Sequence, residues 1–180
     1  MNSRTATGAA ASWTHFGMAC TCGRLRRASR ALTQLYDDAM APAGLRVTQF
    51  SLLRTLARDG PLRISELATR LLLDRTALSR NLDPLVDAGY VEIVRGRDAR
   101  TREVALTRQG AAALDTARPH WLAAQRKVTK HLGPAKVQAL IAALGELEAL
   151  HPANAIQPSP GRSPQPSPAG GRGRKPGIHR

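Results

Sequence analysis

The stretch from Ser65 to Thr107 constrains this 180-residue chain more than any other part of it. It opens with Ser65-Glu66-Leu67-Ala68-Thr69-Arg70-Leu71, turns at Leu72-Leu73, and continues as Asp74-Arg75-Thr76-Ala77-Leu78-Ser79-Arg80-Asn81-Leu82. Asp74 is a natural N-cap, because its carboxylate can accept from backbone N–H groups that a first helical turn leaves unpaired. Leu78, Leu82 and Leu85 recur at helical spacing and predict one buried stripe, which leaves Arg75, Thr76, Ser79 and Arg80 on the opposite face. Gly89 supplies the left-handed backbone that stops the helix. Val91 and Ile93 then alternate with polar neighbours, and Val104 and Leu106 answer them across an arginine-studded turn, which predicts a hairpin. Helix, turn, helix, glycine stop and basic hairpin, in that order, are the pattern of a winged helix-turn-helix: a mostly α fold with a small β-wing. Exposed arginine and hydroxyl donors on the second helix suit phosphates and base edges if that helix lies in a major groove.

The flanks extend the fold. From about Ala19 to Met40, the residues Cys22, Leu25, Ala28, Leu32, Leu35 and Ala39 recur every three or four positions, which predicts an amphipathic helix. Pro42 and Gly44 break it, Thr48 starts a helix carrying Phe50, Leu52, Leu53 and Leu56, and Leu62-Arg63-Ile64 reads as a short extended lead. After the hairpin, Thr107 caps a long helix running towards His131, which Pro119 is expected to bend or interrupt near Asp115–Arg118. Beyond Gly133-Pro134, the residues Val137, Leu140, Ile141, Leu144 and Leu147 form a final apolar stripe. The first and last helices have little of their own domain to pack on, so a dimer in which they meet a second copy is the economical arrangement.

Net charge matters here for its distribution. Of the +14 total, residues 1–36 contribute five arginines and no acid, and residues 151–180 contribute four arginines and a lysine, again with no acid. The excess therefore sits on the ends, and a polyanionic partner is indicated, nucleic acid above all. Residues 1–18 read as a flexible leader. The body spans 19–150, with a DNA-binding lobe at about 45–108 and dimerisation helices at about 19–41 and 108–150. Residues 151–180 hold seven of the 12 prolines and almost no large apolar side chain, so they are expected to be a disordered, basic, solvated tail. No apolar run approaches the roughly 20 residues of a membrane span. Two cysteines make no disulfide framework and suit a reducing cytoplasm. The expected location is cytoplasmic, on the nucleoid.

With motif and flanks together, the chain resembles the multiple-antibiotic-resistance regulator (MarR) family of bacterial transcription factors over about residues 19–150. The resemblance is carried by Gly44-Leu45-Arg46-Val47-Thr48-Gln49-Phe50, Leu73 to Arg80, Leu85-Val86-Asp87-Ala88-Gly89-Tyr90-Val91, Asp98-Ala99-Arg100, and Val104 to Gly110. It implies a homodimer with winged lobes below an apex of terminal helices, covering a promoter palindrome in double-stranded DNA as a repressor. Release by a small phenolic or hydrophobic effector, or by oxidation, is also implied. By position, Arg75, Thr76, Ser79 and Arg80 would face the major groove, and Arg100, held by Asp98, would enter the minor groove. Ala99 stands where many members have another arginine; Arg97 and Arg102 are the candidates to replace it.

Cys20 and Cys22 leave three readings open. A shared metal or joint oxidation requires the helix to begin after both, since two helical residues are about 200° apart. A thiol switch is the second: in the hydroperoxide-sensing branch of the family, a cysteine near the start of the first helix meets tyrosines of the partner subunit. Cys22 matches that cysteine, counting back from Tyr36, while Arg26 replaces the second tyrosine and would favour thiolate. The third reading is a buried structural thiol on the stripe with Leu25 and Leu32.

No phosphate-binding loop, His-Glu-x-x-His, Gly-x-Ser-x-Gly or carboxylate cluster is present, so no enzymatic role, cofactor or metal is expected. His120 and Trp121 could line a cleft between lobes, although core and surface positions are the commoner use of such residues. Two alternatives to a regulator remain: a winged-helix protein-interaction module, and an architectural DNA-binding protein without a sensor.

Overall fold

The computed structural model describes residues 20–96 and 101–152. Helix α1 is Thr21–Met40, with Cys20 as its N-cap in extended backbone. A one-turn 3-10 segment, Ala41–Ala43, follows and is closed by Gly44 at φ +69°. Helix α2 is Val47–Asp59. Its first turn begins one residue earlier than Thr48 suggests, because Asp37 of α1 accepts the Val47 N–H (2.7 Å) and the Gln49 side chain accepts the Arg46 N–H (2.9 Å). Two donors that a helix start leaves orphaned are thereby satisfied.

Strand β1 is Leu62–Arg63 and leads into α3, Ile64–Arg70. The turn to α4, Arg75–Asp87, places Leu72 at φ +50°, a left-handed conformation that an L side chain adopts at a cost. The hydrogen bonds Leu72 N–H to Thr69 carbonyl (3.1 Å) and Leu73 N–H to Ala68 carbonyl (2.9 Å) hold it there. Strands β2, Val91–Arg95, and β3, Arg102–Leu106, form the wing hairpin. Helix α5 is Arg108–Leu132 and α6 is Pro134–Glu148. All pairing in the sheet is antiparallel in the order β1-β3-β2, with Leu62 opposite Val104, Ile93 opposite Val104 and Arg95 opposite Arg102. The segment expected only as an extended lead is thus a third strand, and its last residue, Ile64, already belongs to α3.

One core gathers Leu52, Leu53 and Leu56 of α2, Leu67 of α3, Leu78 and Leu85 of α4, and Val91 and Val104 of the hairpin. Burying a side chain of this class stabilises the fold by about 1.5–3 kcal/mol. Phe50 stacks on Trp121 of α5 (centroids 5.8 Å, 18° between planes), and the Arg54 guanidinium lies 5.6 Å from the Trp121 ring. Trp121 therefore pins α5 to α2 as a packing residue.

Two expectations are corrected. Pro119 does not interrupt its helix: α5 is continuous from Arg108 to Leu132. Pro119 is on the exposed face, so the carbonyl that loses its partner can turn to water, while Ala117 and Ala124 keep the opposite face buried. Cys22 is not a buried structural thiol in this chain. Both cysteines are exposed, as are Leu25 and Leu32 on the same stripe.

Candidate nucleic-acid interface

Helix α4 sorts its side chains as its spacing predicts. Leu78, Leu82 and Leu85 are 0–5 % exposed, whereas Arg75, Thr76, Ser79 and Arg80 are all exposed on the other face. Asp74 accepts the Ala77 N–H at 2.7 Å, which fixes the start of the helix and the direction in which Arg75 and Thr76 leave it. Asn81 donates to the Ala77 carbonyl at 2.8 Å, so its amide is spent inside the helix. Pro84 lies within α4 on the exposed face.

The end of α4 is tied to the start of α5. Gly89 is at φ +69°, and the Thr107 hydroxyl donates to the Gly89 carbonyl (2.7 Å) and accepts the Gly110 N–H (3.0 Å). Gln109 Nε2 donates to the Ala88 carbonyl at 3.2 Å. A Cβ built on Gly110 would lie 2.0 Å from the Tyr90 carbonyl oxygen, so only glycine fits this crossing. The start of α5 is thereby fixed to the end of the helix that carries the exposed arginines.

On the wing, Arg102 is exposed at the start of β3 and pairs in register with Arg95, placing two like charges opposite one another. The Gly96 N–H donates to the Thr101 carbonyl (2.9 Å) below the tip. Arg97, Asp98 and Arg100 lie outside the described residues. Between wing and helices runs a cleft of about 610 Å³ lined by Arg63, Ile64, Ser65, Ala68, Arg75, Thr101 and Arg102. Arg63 is not among the residues that the sequence points to. Its signal, a basic residue between a short strand and a helix start, is legible only once β1 is seen to join the wing's sheet.

The thiol-switch residues are not assembled within one chain. Cys22 and Tyr36 are fourteen positions apart on α1, about 21 Å along a regular helix. The Tyr36 hydroxyl donates to the Gln125 side chain of α5, and burial pushes this phenol above its ordinary value, keeping it a donor. Arg26 is exposed one turn from Cys22. Cys20 Sγ accepts the Gly23 N–H at 3.5 Å as a helix cap. At this end of the molecule, Arg24, Leu25 and Ala28 of α1 face Leu140, Leu144 and Leu147 of α6 across an apolar groove of about 430 Å³. No helix among the described residues is long and apolar enough to cross a membrane, and no group of three His, Cys, Asp or Glu among them is placed to hold a metal.

Comparison with known proteins matches this architecture. The profile of the MarR family covers residues 43–101, from the turn before α2 to the wing. The transcriptional regulator MosR of M. tuberculosis is 39 % identical, with 73 % of this chain and 96 % of that one aligned at a TM-score of 0.64. An HTH-type transcriptional regulator of Bacillus cereus is 36 % identical over 102 residues, 57 % of this chain and 68 % of that protein. The chain belongs to the MarR family. It is a DNA-binding transcriptional regulator with the winged-helix fold of that family. MosR in complex with DNA is 42 % identical over 71 % of this chain and 95 % of that one (TM-score 0.63). A cysteine-to-serine mutant of E. coli MarR, in complex with operator DNA, is 27 % identical over 73 % and 96 % (TM-score 0.66).

Proposed function

We propose that this MarR-family regulator is a homodimeric repressor that covers a palindromic promoter site and leaves it when a small effector binds or a thiol is oxidised. The observation that carries the reading is α4 itself: four polar donors, Arg75, Thr76, Ser79 and Arg80, stand exposed over a fully buried leucine stripe, on a helix capped at one end and clasped to α5 at the other. A helix so presented reads base edges in a major groove, and Arg102 with Arg97, Asp98 and Arg100 extends the contact to the neighbouring groove. MosR, crystallised with DNA, and CouR, described as a repressor bound to a 23-mer duplex, support the choice of partner.

Dimerisation is favoured by the apolar surface left on α1 and α6. Leu25, Leu32, Leu140, Ile141 and Leu147 are each 39–58 % exposed, and a second copy is the partner that would cover both helices at once. On this reading the body spans 19–150, the lobe at about 45–108 binds DNA, and the protein works in the cytoplasm on the nucleoid without enzymatic activity. The leader 1–18 and most of the tail 151–180 lie outside the described residues. Cys22 is the thiol to test, because it is exposed on the α1 face that the second copy would meet.

Footprinting on the intergenic DNA upstream of its own gene tests the proposal. The expected protection is symmetric, with half-sites about 10–10.5 base pairs apart centre to centre or a multiple of that. It should be lost on peroxide treatment of the wild type and kept in Cys22→Ser. Protection of one half-site alone contradicts the dimeric repressor; peroxide loss that persists in Cys22→Ser removes Cys22 as the switch and leaves the effector.

A further inference from the structure

We propose that the cleft between α3, the first turn of α4 and the base of the wing is a clamp for the DNA sugar-phosphate backbone, with Arg63 as a sequence-blind contact that sets affinity. The inference deepens the proposed DNA reading and rests on it. Its geometric basis is a property of the duplex. Adjacent major and minor grooves are separated by one backbone strand, so a protein that puts a helix in one and a hairpin in the other must face phosphates in between. In this molecule that intermediate surface is the cleft of about 610 Å³, and its basic lining comes from three different elements: Arg63 from β1, Arg75 from the start of α4 and Arg102 from the start of β3.

The chemistry of the lining suits a phosphodiester. Among the described residues none that lines it is acidic, and Ser65 adds a hydroxyl donor. Among the described residues, Arg63, Arg75 and Arg102 take part in no ion pair. Glu66, the nearest carboxylate along the chain, accepts the Arg63 backbone N–H at 3.1 Å, which fixes the Arg63 backbone. Glu103 stands opposite Arg63 in the β1–β3 register, and among the described residues the two form no ion pair. The pairing of Arg95 with Arg102 across the hairpin is a like-charge arrangement that costs stability in the free protein. A polyanion along the cleft offsets that cost, whereas a neutral partner does not. Three arginines brought to one cleft from three elements supply planar guanidinium groups, which suit phosphate oxygens.

The clamp predicts a separation of roles between residues, and the salt dependence of binding reads it directly. Each phosphate contact neutralised by an arginine adds about 0.9 to the slope of log affinity against log salt. Binding of wild-type full-length protein, Arg63→Gln, Arg63→Lys and Arg80→Ala is measured on the upstream intergenic duplex and on unrelated duplex DNA, across a salt series. Arg63→Gln is expected to weaken both duplexes by the same factor, about threefold to tenfold, and to lower the slope by roughly 0.9 for each subunit bound. The ratio between the two duplexes stays unchanged, and Arg63→Lys restores the slope. Arg80→Ala reports separately on the α4 reading, because it reduces the preference for the upstream duplex and leaves the Arg63 effect on unrelated DNA in place. Arg63 is exposed, so the melting temperature of Arg63→Gln checks that the fold is intact. An unchanged slope in a folded Arg63→Gln overturns the clamp, and so does a loss confined to the upstream duplex, which would make Arg63 a reader of sequence. If the wild type shows no preference for the upstream duplex while Arg63→Gln still lowers the slope, the clamp stands and sequence-specific reading at that duplex fails.

Discussion

Gly110 is the residue whose identity the structure dictates most strictly. It lies in the first turn of α5 where that helix crosses the end of α4, and a methyl group there would meet the Tyr90 carbonyl at 2.0 Å and Leu106 at 2.8 Å. Neither the backbone carbonyl nor the clasp made by Thr107 and Gly89 can give way without moving α4. Overpacking of this severity costs about 3 kcal/mol. Gly110→Ala is therefore expected to lower the melting temperature by roughly 6–12 °C for a chain of this size. A variant that melts within a degree of wild type would show that the crossing is looser than its geometry. Thr107 and Asp74 are the opposite kind of residue: their roles as caps are legible in the sequence, because a hydroxyl or carboxylate one position before a helical run has few other local uses.

Among the elements, the helices are legible and two of their details are not. Periodicity and caps predict α1, α2, α4, α5 and α6 to within a few residues, and Leu78, Leu82 and Leu85 fall in the core as their spacing requires. Pro119 misleads: it lies inside a continuous helix, on an exposed face where the carbonyl left without a partner is open to solvent, as Pro84 does in α4. Strand β1 is hidden because its partner is some forty residues away in β3, and two residues carry no period of their own. Trp121 has no firm role on sequence grounds; only the fold brings Phe50 and Arg54 to its ring. A second clasp, between helix ends, reaches across eleven residues. Asp59 at the end of α2 takes Arg58 at 2.7 Å and Arg70 of α3 at 3.1 Å. The Arg58 hydrogen bond outweighs the opposing effect of burial and, with lesser help from the charges of Arg58 and Arg70, holds the Asp59 carboxyl below the usual aspartate value. A carboxyl lowered in the folded state contributes stability above its unfolded value near 3.9 and loses it as pH falls through the folded value. Both arginines are largely in water, so the contribution is about 0.5 kcal/mol. Urea titrations should show Asp59→Asn less stable than wild type by that amount at pH 7, with the difference shrinking as pH falls below the unfolded value near 3.9 and gone once pH is below the folded value. A difference that persists in acid would mean that Asp59 acts through packing instead.

For the molecule as a whole, the division of labour runs along α5, which clasps α4 at one end and packs against α1 through Tyr36 and Gln125 towards the other. The exposed leucines of α1 and α6 are legible as a stripe, and nothing among the described residues covers them. If a second copy does, Ile141→Glu places a charge in the shared interface. Sedimentation should then find a monomer, and DNA affinity should fall at least tenfold as the second half-site stops being held at high effective concentration. Sedimentation of the variant as a dimer would move the interface elsewhere. The central claim, that α4 reads a DNA sequence, is tested most directly by competition. The purified protein is titrated onto its upstream intergenic duplex at near-physiological salt against unrelated DNA of equal length, beside Arg80→Ala. The expected result is a preference of about a thousandfold or more, reduced in Arg80→Ala by roughly 1–3 kcal/mol for each base that Arg80 reads. Equal affinity for both duplexes, unchanged by Arg80→Ala, would contradict it.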